Sequence, residues 1–324
     1  AIAIAKPSEY QATLAKAYVV ADFEKRRQQI IEQINAITHA QKVHAIMPEA
    51  LVDEVTSIVE WPQALMVEFA PAFLEVPPEA LIASMQSHQK CFAIQDEHAK
   101  LLPYFITISN IESRDPKSVI SGNEKVMHAR LSDAAFFYKQ DKKRALSDYQ
   151  AATAKVVFQT RLGSVQDKTQ RLQTLMTHLV TPLQLDEKQA RRTVGLSKCD
   201  LMTGMVGEFP ELQGLMGSYY ALNDGEDKAV AIALNEQYMP RFAADDLPET
   251  DLGTAISLAD RLDTLVGIFA IGQKPTGMKD PFKLRRHALA VARMLIANPA
   301  KLNVSTLITE TLHAYGERLP QDEQ

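Results

Sequence analysis

"ISLADRLDTLVGIF", residues 256–269, decides how the larger part of this chain folds. Leu258, Leu262, Leu265 and Phe269 recur at intervals of three and four, which lays an apolar stripe along an α-helix. Asp260 and Asp263 fall three apart on a neighbouring stripe. Toward the C-terminus, "PFKLRRHALAVARMLIA", 281–297, predicts a second helix with Asp280 before it and Pro281 at its first position. Its predicted apolar face is Leu284, Ala288, Val291 and Leu295, while Arg286 and Arg293, seven apart, share another face. Toward the N-terminus, nearly every segment back to about residue 120 has the same helical period, with Gly or Pro at the joints. Earlier still the pattern changes. A helix over 19–38 is capped by Asp22, with Phe23, Ile30, Ile34 and Ile37 at helical spacing, and a second over 49–60 ends at Trp61-Pro62. ALMVEF (64–69), CFAI (91–94) and YFITIS (104–109) read as strands, with a short helix from Pro77-Pro78 to about 87. The expected fold is an α+β region with leading helices over 1–145, followed by an all-α region over 146–324. No internal repeat is visible.

Composition narrows the function classes. The 324 residues are 46% apolar and 23% charged, as in a globular protein of two domains. Cys91 and Cys199 are too few and too far apart for a disulfide framework or a zinc site, and they suit a reducing cytosol. No apolar run approaches the roughly 20 residues that span a bilayer. The best, ALAVARMLIA at 288–297, is interrupted by Arg293. A cytoplasmic protein with no membrane contact is expected. No signal peptide is visible, and the chain runs from Ala1 to charged sequence at Gln324, as expected of a fragment cut from a longer protein.

A formal net charge of −5 hides strong patterning. Residues 117–144 carry seven Lys/Arg against three Asp/Glu, with Phe136, Phe137 and Tyr138 side by side. Residues 207–263 carry twelve acids against three bases, and 274–293 six bases against one acid. Such blocks are either solvated helix faces or surfaces for a charged partner.

Catalytic motifs are missing. GQKPTGMK, 272–279, has the glycine spacing of a phosphate loop but lacks its Lys-Ser/Thr ending and follows a helix; it reads as a turn presenting Lys274 and Lys279. The eight histidines are scattered, without HExxH or paired ligand spacing, and His88, His98 and His128 read as surface or packing residues. "SKCDLMTGMVGEFPELQGLMGSYYA", 197–221, reads as two helices packed closely through glycines, with methionine filling gaps. A functional reading of the same stretch gathers Asp200, Asp260 and Asp263 as a carboxylate cluster for metal.

Five segments in order carry a resemblance: "ISGNEKVMHARLSDAAFFYKQDKK", "VVFQTRLGSVQDKTQRL", "LSKCDLMTGMVGEFPELQGLMGSYYALNDGE", "ALNEQYMPRFAADDLP" and "LADRLDTLVGIFAIGQKPTGMKDPFKLRRHAL". Together they resemble the β subunit of bacterial two-subunit glycyl-tRNA synthetase, from roughly residue 15 to 315 and over only the middle of that subunit. The resemblance implies a tRNA-binding subunit of a ligase. Its partners would be the synthetase α subunit and tRNA(Gly), in an α2β2 assembly. Glycine activation, with ATP and Mg2+, would take place on the α subunit, so no catalytic residue and no cofactor is expected in this chain.

The first region is similar to the B3/4 domain of the phenylalanyl-tRNA synthetase β chain, and the second resembles the HD phosphohydrolase fold. At the family's His-Asp position this chain has Cys199-Asp200, and the distal aspartate position is Asp260. Loss of the histidine removes an imidazole ligand, so a degenerate centre without metal is expected. The expected tRNA-phosphate contacts are Lys125, Arg130, Lys142, Lys143 and Arg144, with Lys279, Lys283, Arg285 and Arg286. Phe136, Phe137 and Tyr138 cannot all point outward from one helix, and an exposed one would stack on an unpaired base. Two alternatives remain: an HD-type metal-dependent phosphohydrolase, and a purely structural module joining subunits.

Overall fold

A computed structural model describes residues 2–298 and 302–319. The chain divides into two compact units, Ala1–Tyr138 and Lys139–Gln324.

The first unit opens with a short helix, α1 (Tyr10–Ala15), and the long α2 (Phe23–Gln41), whose N-terminus is capped by the Asp22 carboxylate accepting from the Lys25 amide at 3.0 Å. After β1 (His44–Ala45) come α3 (Glu49–Ile58), β2 (Gln63–Glu68), α4 (Pro78–Ala83), β3 (Phe92–Gln95) and β4 (Leu101–Ser109). The four strands form one antiparallel sheet in the order β1-β3-β4-β2, with Phe92 opposite Ile106 and Met66 opposite Ile106 on its other side. Alternate residues of a strand face opposite ways, so Phe92, Ile94 and Ile106 share one face. There they pack against Ile30 and Ile34 of α2 and Leu51, Val52 and Val55 of α3. Helix α5 (Pro116–Asp141) follows, and the boundary between the units falls within it.

The second unit is helical apart from a small hairpin, β5 (Val157–Gln159) with β6 (Gly163–Ser164), in a stretch whose sequence reads as helical. Its helices are α6 (Val165–Val180), α7 (Glu187–Leu196), α8 (Gly204–Glu208), α9 (Leu215–Asn223), α10 (Lys228–Glu236), α11 (Asp251–Ala270), α12 (Leu284–Ala297) and α13 (Val304–Tyr315). Side chains start most of them: Ser164 and Asp167 form a capping box on α6, and Asp186, Asp227, Thr250 and Asn303 cap α7, α10, α11 and α13. α11 runs through the middle, against α6, α10, α12 and α13. Ile256, Leu258, Ala259 and Leu262 of α11 share a core with Leu172, Leu175 and Leu179 of α6, Val291 and Met294 of α12, and Leu307 of α13.

Two details differ from the sequence reading. Phe269, the predicted end of the core stripe, is 41% exposed. Helix α12 starts at Leu284 rather than Pro281, because Lys283 adopts a left-handed conformation at φ +56° and turns the chain once more before the helix begins. Asp280 still serves the new start, accepting from the amides of Leu284 at 2.8 Å and Arg285 at 3.0 Å. The buried face of α12 is accordingly Leu284, Ala290, Val291 and Met294, while Ala288 is exposed.

Candidate functional site

From Leu252 to Thr264 every residue of α11 is buried, because the helix is packed on several sides by its neighbours. That placement drags Asp260, Arg261 and Asp263 into the interior, where each charge needs a partner. Lys168 and Arg171, three apart on α6, meet Asp260 and Asp263, three apart on α11. The Lys168 ammonium donates to Asp263 Oδ2 at 3.0 Å, to the Asp260 carbonyl at 3.0 Å and to Thr264 Oγ1 at 2.8 Å. Arg171 grips the same Asp263 carboxylate with Nε at 2.6 Å and Nη2 at 3.2 Å, and its guanidinium lies 4.2 Å from the Tyr315 ring centroid. The Tyr315 hydroxyl donates to the Asp263 carbonyl at 2.7 Å. Gly267 makes room for that hydroxyl: a Cβ there would stand 2.0 Å from it.

Lys198, beside Cys199-Asp200, completes the centre. Its ammonium sits 3.0 Å from Asp260 Oδ1 and 4.4 Å from the Tyr238 ring centroid. Arg261 donates to the carbonyls of Tyr238 and Pro240, each at 2.9 Å, and lies 3.2 Å from His287 Nδ1. Asp200 accepts from the Gly214 amide through one oxygen, and its other oxygen has no hydrogen-bond partner among the described residues.

Burial and charge set the proton affinities. Desolvation works against the Asp260 anion, but Lys168 and Lys198 outweigh it and hold this carboxyl well below the usual range. Asp200 has no such close cation, and burial raises it to about 6. Burial lowers Lys198 and pushes the Cys199 thiol up to about 12, so the thiol is an inert packing group rather than a ligand. Burial, aided by the nearby cations, lowers His287 to about 4, which leaves it neutral.

Two buried carboxylates, Asp260 and Asp263, are therefore held by three buried cations, Lys168, Arg171 and Lys198. The donor set does not fit a divalent ion: a metal beside Asp260 would sit among Lys168 and Lys198, whose charge it would have to displace. Among the described residues no three His, Cys, Asp or Glu side chains are placed to hold a metal. The alternative that gathers Asp200, Asp260 and Asp263 around a metal is not favoured, since Asp260 and Asp263 are bound by Lys and Arg. Sequence reasoning missed Lys168, Arg171, Lys198, Arg261 and His287. The signal was a pair of cations and a pair of acids, each three apart, on two different helices.

The nine cations expected at an RNA surface are all exposed. Lys125 and Arg130 lie along α5. Lys142, Lys143 and Arg144 form the turn after it, which is firmly framed. On one side buried Asp141 accepts from the amides of Gly204 at 2.8 Å and Met205 at 2.9 Å and from the Tyr220 hydroxyl at 2.8 Å. On the other, the Leu146 amide donates to Asp224 at 2.6 Å. Arg144 lies 4.5 Å from the Tyr149 ring centroid. Lys279, Lys283, Arg285 and Arg286 surround the start of α12, and none of their side chains has an ion-pair partner among the described residues. Of the aromatic trio Phe136 is 58% exposed, with its ring edge-on to Phe137, while Phe137 and Tyr138 are half-buried.

Known proteins agree on one family. A family model described as "Glycyl-tRNA synthetase beta subunit" matches residues 1–324. The "Glycine--tRNA ligase beta subunit" of Ectopseudomonas mendocina is 51% identical over 321 residues, 99% of this chain and 47% of that protein. Its namesake from Pseudomonas putida (strain W619) is 51% identical over 318 residues, 98% of this chain and 47% of that protein. The Pseudomonas fluorescens (strain SBW25) protein of that name is 50% identical over 321 residues, 99% of this chain and 47% of its own. The chain thus spans about half the length of the curated relatives it matches.

Proposed function

The chain belongs to the glycyl-tRNA synthetase beta-subunit family, and from that premise we propose that it provides tRNA-binding surface to a glycine–tRNA ligase. In this reading it works beside a catalytic α subunit, in an α2β2 assembly, where ATP and Mg2+ are used to attach glycine to tRNA(Gly). The observation that carries the reading is the exposure of all nine cations, Lys125, Arg130, Lys142, Lys143, Arg144, Lys279, Lys283, Arg285 and Arg286. Cations held this way meet phosphates, fixing where the RNA lies without reading its sequence. The helical unit would be an HD-type scaffold kept for binding, its Cys199, Asp200 and Asp260 positions given over to packing and ion pairing. A metal-dependent phosphohydrolase is not favoured, because lysines already occupy the Asp260 carboxylate.

The test is tRNA(Gly) binding by this chain across a salt series, beside Lys142→Glu/Lys143→Glu/Arg144→Glu. Affinity of the wild type should fall steeply with salt. The triple variant should bind more weakly, with a slope shallower by roughly 0.7–0.9 for each phosphate it no longer meets. Equal binding by both proteins would make this turn a face that serves protein contacts and would favour a subunit-joining role.

A further inference from the structure

The turn that precedes α12 has a shape its charge alone does not require. Its two feet are fixed: Ile271 and Leu284 are buried in one cluster with Leu162, Ile268 and Tyr315, and Phe282 packs on it. Arg161 adds a bond to the Ile271 carbonyl at 3.1 Å. Between the feet, Thr276 and Lys279 exchange backbone hydrogen bonds of 3.0 and 2.8 Å, closing a two-residue tip of Gly277 and Met278. Gly277 takes φ +51°, a conformation natural to glycine, and the closed tip drives the next side chain outward. Met278 is 101% exposed, so it touches nothing in its own chain.

The same stretch of chain carries exposed Lys274, Lys279, Lys283, Arg285 and Arg286. The one acid in the stretch, Asp280, is occupied by the Leu284 and Arg285 amides. A complementary ligand must bring several negative charges together with an open apolar or π face. Duplex RNA brings the charges but hides its base faces in the stack. Single-stranded RNA presents both, phosphates along the backbone and a π face on each unpaired base.

We propose that the 272–283 turn is a base-stacking finger, in which Met278 packs on an unpaired base at the end of an RNA helix while the cations of the same stretch hold the flanking phosphates. This rests on the tRNA-binding reading above and adds which residue meets a base and what state that base is in. Methionine suits such a tip, because its sulfur is polarizable, its contact with an aromatic ring is favourable, and its flexible chain adapts to any base.

Two RNA hairpins test it, identical except that one carries a short single-stranded 3′ extension containing a fluorescent adenine analogue. The wild type should bind the extended hairpin more tightly than the blunt one. Met278→Ala should lose roughly twofold to tenfold on the extended hairpin only, the range of a single sulfur–ring contact. Met278→Trp should restore that affinity and quench the analogue, and neither variant should shift the melting temperature. If Met278→Ala binds both hairpins as the wild type does, with salt dependence intact, the finger is overturned and the phosphate surface stands. If the wild type binds neither hairpin at low salt, both readings fall.

Discussion

The helical unit holds two sets of cations that differ in one respect. At its centre Lys168, Arg171, Lys198 and Arg261 are buried, each with acceptors at hydrogen-bond or ion-pair distance. At the start of α12, Lys279, Lys283, Arg285 and Arg286 are exposed, and among the described residues none of their side chains forms an ion pair. The residue types are the same, and their surroundings decide what they do. A buried ammonium is bound to its carboxylate because neither can return to water, so the pair is spent on the fold. An exposed ammonium keeps its water and contributes little to stability, which leaves it free to exchange counterions for phosphate.

The sharpest way to break this contrast is to remove an internal acceptor. Asp263→Ala deprives both Lys168 and Arg171 of a shared carboxylate that is fully buried. Urea denaturation should show a loss of about 3–5 kcal/mol, the usual cost of stranding a buried charge. A loss under about 1 kcal/mol would mean that water reaches the pair, and the division between internal and surface cations would collapse.

Asp200 sharpens the contrast from the other side, as an internal carboxylate with no cation against it. Its carboxyl titrates near 6 when folded because of burial, against an ordinary value of 3.8. The folded state thus holds the proton more tightly than the unfolded one. The stability this provides is complete below about pH 4 and is lost as pH rises through about 6, a change of roughly 2–3 kcal/mol. Asp260 and His287 run the opposite way. Both are depressed when folded, so their contributions are present at higher pH and lost on acidification, for His287 as pH falls from about 6.5 toward 4. Subtracting the melting profile of Asp200→Asn isolates the Asp200 part. The variant should gain on the wild type as pH rises from about 4 through about 6 toward about 8, and parallel profiles would show that the carboxyl is already solvated.

Much of the scaffold was legible in the sequence. Short apolar, aromatic-rich runs predict β2, β3 and β4, and one face of that sheet does meet α2 and α3; Asp22 marks the start of α2 because its carboxylate is the cap. That Phe137 and Tyr138 are half-buried beside exposed Phe136 agrees with helical geometry, which cannot turn three consecutive rings to water, though it does not say which ring is exposed. The buried centre was not legible in the same way. Lys168 and Asp263 are 95 residues apart, and nothing local to either tells a lysine that will be buried from one that will be solvated. Only the tertiary placement of α11 forces the choice. The start of α12 fails for a smaller reason: proline at the first helical position is a preference of about one residue's backbone, and the left-handed Lys283 overrides it.

The smallest expected effect on stability belongs to the surface set, and it is the most informative. Lys279→Ala and Arg286→Ala should each change unfolding free energy by less than about 0.5 kcal/mol, since neither side chain leaves a buried partner behind. In tRNA binding the same substitutions should lower affinity and flatten the salt dependence, by about one in slope for each phosphate left without its cation. The two measurements must move apart for the comparison to hold. Were either substitution as costly to folding as Asp263→Ala, that cation would belong with the internal set, and the proposed RNA surface would have to be redrawn around Lys125, Arg130 and the Lys142–Arg144 turn.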